Sequence, residues 1–332
     1  MNKKYVMLEV MRGFAALWVL LYHAALNNAA FSNEIKSNFI NRGYLGVEFF
    51  FILSGFIISY STITTIKHGG LFKQYAFARL LRVYLPYYPI GLSLLLIYFI
   101  FPDLSLGNRD IGFVTSITLF PTEYSTALSV AWTLKHELLF YSLFGLMFFS
   151  KKIGFSCLSI WLIFIFITYF AGYSYENSFL KLLSNPINIW FFVGILLYLL
   201  PNIQLTKVYW YLTILVLFVL LFFTVETGMS SIFIGIILAL FIYFFTRMDR
   251  INIFIPKPLI FLGTASYSIY LIHNPLQSIL ARIPDFLEYN INSTIFFLYL
   301  VIFSLMGGFF YYKIIEKRCV KFSKKITSRY QQ

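Results

Sequence analysis

Long apolar stretches recur along almost the whole chain, and they restrict the fold more than any other feature. Hydrophobic residues make up 60% of the 332 residues and charged residues only 12%, with a mean hydropathy of +0.78. A soluble domain of this size cannot bury so much apolar surface, whereas runs of about 20 apolar residues match a bilayer core of about 30 Å. The sequence therefore predicts an all-α integral membrane protein.

About ten stretches have the length and composition of membrane-spanning helices. They are residues 6–26, 44–63, 83–101, 130–150, 153–171, 186–200, 208–226, 230–246, 259–280 and 294–315. The stretch 186–200 is short, and the apolar segment 111–120 is a candidate for re-entry into the membrane. The first stretch follows Lys3 and Lys4. It is too long for a cleaved signal sequence, so we expect no separate signal peptide.

The basic residues predict the orientation of these spans. With the N-terminus in the cytoplasm, nineteen of the 26 Lys and Arg residues fall in inner segments and five in outer ones, while Arg12 and Lys135 lie within spans. This asymmetry follows the positive-inside rule and predicts that both termini are cytoplasmic. The net charge of +13 then reflects contact with anionic lipid headgroups, and we expect no nucleic-acid partner.

No linker, internal repeat or disulfide framework divides the chain. We therefore predict a single integral-membrane domain over residues 1–332, without a soluble appendage, that ends in a basic cytoplasmic tail at about 316–332. The segment Lys313 to Arg329 is expected to form a lipid-facing amphipathic extension. Cys157 and Cys319 lie in the fifth span and the tail, so no disulfide is expected. The four histidines fall on separate elements, and no metal site is expected.

Arg12 and His23 are two costly residues in the first span. Eleven residues at about 100° and 1.5 Å each place the two side chains within roughly 20° of one another and about 16 Å apart along the axis. Ionisable groups inside a membrane mark functional sites unless they pair or reach water. Either residue alone also fits a structural role, Arg12 on lipid phosphates and His23 hydrogen-bonded in the bundle. Their shared face favours function, with His23 as an acid–base group in the outer half.

Two further elements carry ionisable residues near membrane edges. Glu48 lies in the first turns of the second span, where structural pairing and catalysis are both open. Ser54, beside Gly55, permits close helix approach. Arg79 and Arg82 are spaced i, i+3 at the cytoplasmic start of the third span and suit a phosphate clamp, although topology charges on lipid headgroups would look the same.

The fourth span carries Lys135, His136 and Glu137 in succession, which a purely structural role does not easily explain. Glu137 and Tyr141 are expected to share a face because they are four residues apart. Lys135 either offsets Glu137 or extends toward the surface. In the ninth span, His273 is open to two interpretations, a further site residue or a satisfied core histidine.

Together these segments resemble the membrane-bound acyltransferase 3 family, whose members acylate sugars and other hydroxyl-bearing envelope molecules. The matching residues, in chain order, are Arg12-Gly13 with His23, Gly46 to Phe50 with Ser54-Gly55-Phe56, Arg79 with Arg82, Trp132-Thr133-Leu134 with Glu137 and Tyr141, and Ser266 to His273. The resemblance implies a ten-helix fold and a cytoplasmic acyl-CoA donor, most often acetyl-CoA. It also implies that His23 is the central catalytic residue and that Arg12, Arg79 and Arg82 hold the donor.

This chain departs from the family's usual pattern at two positions. Many members have Asp where Glu48 stands, and less charged residues are common in place of Lys135-His136. The first change moves a carboxylate by one methylene, and the second leaves the local proton balance open. Some members carry a soluble hydrolase-like domain, and we expect none after the tenth span of this chain.

The residues and the resemblance lead to one functional hypothesis. The protein is expected to be a multi-pass enzyme of the plasma membrane that moves an acyl group from acyl-CoA to a sugar hydroxyl of a surface glycan or its lipid-linked precursor. Acetyl is the expected acyl group. His23 acts as general base or carries the acyl group, with Glu137 or Glu48 orienting it and Trp132, Tyr141, Ser54 and His273 in support. No bound cofactor is expected. The alternatives are a transporter or flippase of a polysaccharide precursor and an inactive scaffold.

Overall fold

The computed structural model describes residues 6–31, 35, 37–104, 109–201, 206–228, 230–248, 255–286 and 292–328. Within these ranges the regular elements are helices, which confirms the predicted all-α class. The α-helices are α1 (Val6–Phe31), α2 (Asn38–Asn41), α3 (Leu45–Lys67), α4 (Phe72–Ile100), α5 (Phe113–Thr118), α6 (Trp132–Gly145), α7 (Lys151–Phe170), α8 (Ser178–Ser184), α9 (Ile189–Leu199), α10 (Lys207–Glu226), α11 (Ser231–Met248), α12 (Lys257–Thr264), α13 (Ser266–Phe286), α14 (Ser293–Tyr311) and α15 (Lys317–Ser328).

Local sequence explains where several helices start and stop. Asn177 and Asn292 precede α8 and α14, and their side-chain oxygens accept hydrogen bonds from the first free backbone N–H groups. Gly69, Gly172 and Gly228 follow α3, α7 and α10 with φ of 73°, 65° and 78°. Glycine adopts this left-handed conformation without a Cβ penalty, so it ends a helix cleanly.

Six helices are long and apolar enough to cross a membrane among the described residues. They are Val6–Ala30, Leu45–Lys67, Phe72–Ile100, Lys151–Phe170, Val208–Glu226 and Ser293–Thr327. A seventh span results if Ser178–Ser184 and Pro186–Leu199, which are bent by 44°, are taken together. The protein is therefore a multi-pass membrane protein. Helices lie at all ten predicted positions, but the number of ten spans and the cytoplasmic termini stay predictions.

The helices at the other predicted spans are short or broken. α6 has 14 residues and α11 has 18, and the predicted span 259–280 is divided between α12 and α13 at Ala265. The segment 111–120 forms the six-residue helix α5. Tyr87 of α4 anchors this segment by donating a hydrogen bond to the Ser116 carbonyl at 2.6 Å.

The chain forms two compact units, of which the first comprises Met1–Phe56 and Val193–Tyr312. Helix α1 is its centre and packs against α11, α12, α13 and α14. Small residues bring helix backbones close together in this unit. A Cβ added to Gly263 would lie 2.0 Å from the Glu9 carbonyl oxygen, and one added to Gly194 would lie 2.9 Å from the Gly55 Cα. The predicted close helix approach at Gly55 is thus confirmed, and Ser54 lies half-buried beside it.

The second unit comprises Ile57–Phe192 and Lys313–Gln332. In it α4 packs against α5, α6 and α15, and α6 packs against α7. Phe140 and Phe191 stack with ring centroids 4.4 Å apart, and Trp161 donates a hydrogen bond to the Leu183 carbonyl at 2.8 Å. These contacts join α6, α7 and the α8–α9 segment.

The basic tail forms a helix that also packs within the second unit. A π-helical turn at Tyr312–Glu316 leads into α15, and α15 packs against α4 with Glu316 buried. About half of the α15 side chains from Lys317 to Thr327 are exposed, including Phe322 at 54%, so the lipid-facing orientation of the tail stays a prediction. The predicted amphipathic character of the tail is confirmed by α15. Which surface covers its apolar face depends on the tertiary structure. Residues 329–332, with Arg329, and the N-terminal Lys3 and Lys4 lie outside the described residues.

Candidate active site

Arg12 and His23 lie on one continuous helix, because α1 runs from Val6 to Phe31 without a break. The helical spacing that places both side chains on one face therefore applies throughout the segment. Both residues are half-buried. Arg12 stands next to Gly13, whose position contacts the backbone of Gly263 in α12.

His23 meets a second histidine from the opposite end of the sequence. The Nε2 atom of His273 lies 3.4 Å from the Nδ1 atom of His23, with ring centroids 4.9 Å apart and planes inclined by 68°. His273 has no exposed surface. One turn further along α13, the Gln277 amide donates a hydrogen bond to the Leu20 carbonyl at 3.2 Å. The structure thus brings His273 to His23, and its two interpretations, a further site residue and a satisfied core histidine, both stay open.

The partners of His23 determine which ring nitrogen carries the proton in the neutral form. Its Nδ1 atom lies 3.0 Å from the carbonyl oxygen of Val19. A carbonyl oxygen only accepts hydrogen bonds, so Nδ1 is assigned as the N–H and Nε2 carries the lone pair. A neutral His23 is therefore a proton acceptor or nucleophile through Nε2.

Glu48 lies in the first turn of α3, half-buried and in the same unit as His23. Just before it, a Cβ added to Gly46 would lie 2.7 Å from the Val19 side chain and 2.8 Å from the Ala15 carbonyl. Ala15, Val19 and His23 recur at four-residue intervals and so form one stripe on α1. The first turn of α3 is held against the helix face that carries His23.

In the second unit, Arg79 is surrounded by polar and aromatic groups. Its guanidinium donates a hydrogen bond to the Ser61 hydroxyl and lies 5.6 Å from the ring centroid of Tyr75 and 5.5 Å from that of Tyr141. These distances are typical of cation–π contacts. Arg82 is exposed instead. The surroundings of the two arginines therefore differ, although their i, i+3 spacing predicts a joint phosphate clamp.

Glu137 joins the same cluster through Tyr141. The Tyr141 hydroxyl donates a hydrogen bond to Oε1 of Glu137, which confirms that the two residues share a face of α6. The Tyr75 hydroxyl in turn donates to the Tyr141 carbonyl at 2.9 Å. Sequence reasoning missed Tyr75 and Ser61. Their polar atoms in apolar helices were the available signal, but hydroxyl residues are too common there to single out.

The other charged residues of α6 have different surroundings. His136 is buried, and its Nδ1 atom lies 2.8 Å from Oδ1 of Asn188, whose amide donates to the Leu182 carbonyl at 2.8 Å. This is the geometry of a satisfied core histidine. Trp132 begins α6, is 41% exposed, and meets the His136 ring edge-on at 5.6 Å. Lys135 is half-buried.

A surface pocket of about 390 Å³ lies in the second unit, between the segment before α6 and the start of α8. Its lining combines aromatic rings with polar groups: Phe120, Pro121, Thr122, Glu123, Tyr124, Asn177, Ser178 and Phe179. The rings of Phe120 and Phe179 stack with centroids 6.2 Å apart and planes inclined by 11°. Both loops fall in segments that the charge pattern predicts to be outside the cell.

The predicted site residues are therefore divided between the units. Arg12, His23, Glu48, Ser54 and His273 belong to the first. The second unit holds the remaining five, namely Arg79, Arg82, Trp132, Glu137 and Tyr141. The structure brings one pair into contact in each unit, His23 with His273 in the first and Glu137 with Tyr141 in the second.

Comparison with known proteins identifies the class. A family model described as an acyltransferase domain matches residues 5–313, nearly the whole chain, so the protein belongs to the acyltransferase 3 family. It is a multi-pass membrane acyltransferase. A similar curated protein is "Protein 2 in picA locus" of Rhizobium radiobacter, 29% identical over 161 residues, which cover 41% of this chain and 78% of that protein. No solved structure gives a significant match.

Proposed function

We propose that the protein is a plasma-membrane O-acyltransferase that moves an acyl group, acetyl in the first instance, from cytoplasmic acyl-CoA to a sugar hydroxyl. The observation that carries this proposal is the His23 imidazole, oriented by the Val19 carbonyl so that Nε2 holds a lone pair, in a chain of the acyltransferase 3 family. The acceptor is a cell-surface glycan or its lipid-linked precursor. Ten spans with both termini cytoplasmic are part of the proposal.

In the proposed reaction, Nε2 of His23 takes the proton of the acceptor hydroxyl while the oxygen attacks the thioester carbonyl. The C–S bond breaks, an ester forms, and the CoA thiolate takes the proton from the His23 imidazolium to leave as the thiol. General acid–base catalysis of this kind contributes about 10²–10⁴-fold. In a covalent variant, Nε2 attacks the thioester carbonyl, the C–S bond breaks, and the CoA thiolate is released. The acceptor hydroxyl then takes the acyl group from the acyl-imidazolium, its proton goes to the thiolate, and the neutral imidazole is restored. Glu48 lies on the α3 turn held against the helix face that carries His23, and it is the carboxylate proposed to orient the site from within the first unit.

The donor phosphates are proposed to bind the arginines. Arg82 is exposed and has a planar guanidinium that suits a phosphate, whereas Arg79 is held by Ser61 and two tyrosine rings. We therefore assign direct phosphate contact to Arg82 and a positioning role to Arg79. Arg12 is the third donor residue, on the predicted cytoplasmic side of the first span.

The acceptor is proposed to dock in the pocket between the α6-preceding segment and α8. Stacked, exposed aromatic rings offer an apolar face to a sugar ring, and Glu123 with Asn177 offers hydrogen-bond partners for its hydroxyls. The predicted outer location of both loops agrees with a surface-glycan acceptor.

The experiment that tests this function compares cells with and without the gene by NMR of the surface polysaccharide. The acyltransferase proposal expects O-acetyl signals to disappear from an otherwise complete polymer. Loss of the polymer itself would instead support a transporter or flippase. Reporter fusions after each predicted loop test the ten-span topology separately.

A further inference from the structure

The histidine pair at the α1–α13 contact has a defined direction of hydrogen bonding. Nδ1 of His273 lies 3.1 Å from the Ile269 carbonyl, just as Nδ1 of His23 lies 3.0 Å from the Val19 carbonyl. In both rings the nitrogen beside a carbonyl must carry the proton. The lone pair of His273 is then on Nε2, the atom that faces Nδ1 of His23 at 3.4 Å.

A hydrogen bond in the opposite direction, from Nε2 of His273 to Nδ1 of His23, is disfavoured at two contacts. If His273 donated from Nε2, its Nδ1 lone pair would face the Ile269 oxygen, and the Nδ1 lone pair of His23 would face the Val19 oxygen. Each contact would set two acceptors against one another in buried surroundings, which costs about 1–3 kcal/mol for each unsatisfied group. The Nδ1–H of His23 is therefore shared between the Val19 carbonyl and Nε2 of His273.

We infer that His273 is a positioning residue that fixes the working tautomer of His23 and stabilises its imidazolium. This inference rests on the proposed function of His23 as the base. When Nε2 of His23 takes a proton, the ring becomes cationic and its Nδ1–H becomes a stronger donor toward His273. A hydrogen-bonded partner on the second nitrogen of a functional imidazole commonly fixes its orientation in this way.

The surrounding packing holds His273 in place. The side chain is fully buried, the Tyr270 ring centroid lies 5.6 Å from its own, and Gln277 ties the next turn of α13 to the Leu20 carbonyl. These contacts fix α13 relative to α1 over the turn that carries the pair, so the 3.4 Å approach is built into the helix packing.

The first test is spectroscopic and needs no activity. The chain has only four histidines, so ¹⁵N-histidine NMR of the full-length protein in lipid nanodiscs gives few signals. His68→Gln and His136→Gln assign two of them by elimination. We expect His23 and His273 both to be protonated on Nδ1 and unprotonated on Nε2. A wild-type His23 protonated on Nε2 overturns the inference, whatever the protein's activity.

The second test uses two substitutions that differ in hydrogen bonding. His273→Leu removes the acceptor, and His273→Gln keeps an oxygen that can accept from Nδ1 of His23. Partners that orient functional histidines are commonly worth about 10–100-fold, so we expect kcat to fall by that factor in His273→Leu with an unchanged KM for acetyl-CoA. His273→Gln should retain more of kcat, and the exposed His68→Gln should match the wild type.

Equal losses in the Leu and Gln variants, or a change confined to KM, would overturn the positioning role. Thermal unfolding in the same nanodiscs shows whether each variant is folded. If His273→Leu does not fold, the kcat of His273→Gln and the wild-type NMR spectra still test the positioning role. If the wild type transfers no acyl group from acetyl-CoA, the proposed function fails, and the tautomer measurement still reports on the pair.

Discussion

The contact between α1 and α12 offers a packing prediction whose size follows from the structure. Gly263 approaches the backbone of α1 so closely that an added Cβ would lie 2.0 Å from the Glu9 carbonyl oxygen and 2.3 Å from its carbonyl carbon. Ordinary van der Waals contact begins at 3.4 Å. Backbone atoms cannot rotate away, so Gly263→Ala must push α12 from α1 by more than an ångström.

Overpacking of this kind costs about 1–3 kcal/mol or more. Alanine recovers at most about 1 kcal/mol in intrinsic helix propensity over glycine. We therefore expect a net destabilisation of roughly 1–2 kcal/mol for Gly263→Ala, measured as a lowered midpoint of thermal unfolding in nanodiscs. Because Gly263 also contacts Gly13, beside Arg12, we expect a raised KM for acyl-CoA in the same variant.

Gly307→Ala is the matched control. A Cβ added there would lie 2.3 Å from Cδ2 of Leu276, the far end of a flexible side chain that can move aside. The same substitution in the same unit should therefore be close to neutral or slightly stabilising through helix propensity. If the two alanine variants unfold at the same temperature, the close backbone approach of α1 and α12 is wrong.

Three further predictions concern the second unit. Arg82→Ala should raise the KM for acetyl-CoA by at least about 10-fold with little change in kcat, because a charge-assisted phosphate contact is worth about 1.5–3 kcal/mol. Tyr141→Phe should destabilise the protein by about 1 kcal/mol in thermal unfolding, since Glu137 loses its donor while the ring under Arg79 remains. Replacing Phe120 and Phe179 with alanine should raise the acceptor KM several-fold, at roughly 0.5–1.5 kcal/mol for each lost aromatic contact, and leave the acetyl-CoA KM unchanged.

Controls separate these outcomes from general damage. Phe170→Ala removes a ring that is 80% exposed on α7 of the same unit and should leave the acceptor KM unchanged. Unchanged donor KM in Arg82→Ala would make that arginine a topology charge. A Tyr141→Phe variant as stable as the wild type would argue that the Glu137 contact contributes nothing, and an unaltered acceptor KM in the double phenylalanine variant would rule out the pocket as the sugar site.

The helices could be predicted from the sequence because each apolar run must satisfy its backbone hydrogen bonds internally in a membrane. The break at Ala265 was missed, although Gly263, Thr264 and Ser266 around it are residue types that often interrupt or cap a helix. The packing of α15 on α4 was also missed, since an amphipathic helix shows which face is apolar and leaves open whether lipid or protein covers it.

In the candidate site, contacts within one helix could be predicted from the sequence, and contacts between helices could not. The four-residue spacing of Glu137 and Tyr141 predicted their contact, because neighbouring turns of one helix lie side by side. Arg79 and Arg82 are three residues and thus about 60° apart around α4, which allows one to be held by Ser61 and the tyrosines and the other to be exposed. His273 and His23 are 250 positions apart, and only the helix packing brings them together.

Acetyl transfer by the purified protein in nanodiscs, followed as CoA thiol release and as the ester product on a sugar acceptor, tests the role of His23 directly. His23→Ala should lower kcat by at least about 10²-fold, the lower bound for losing a general base, while the variant keeps its expression and unfolding temperature. His68→Gln, an exposed histidine, should behave as the wild type. Near-normal turnover in a folded His23→Ala protein would show that Nε2 of His23 does not carry out the chemistry.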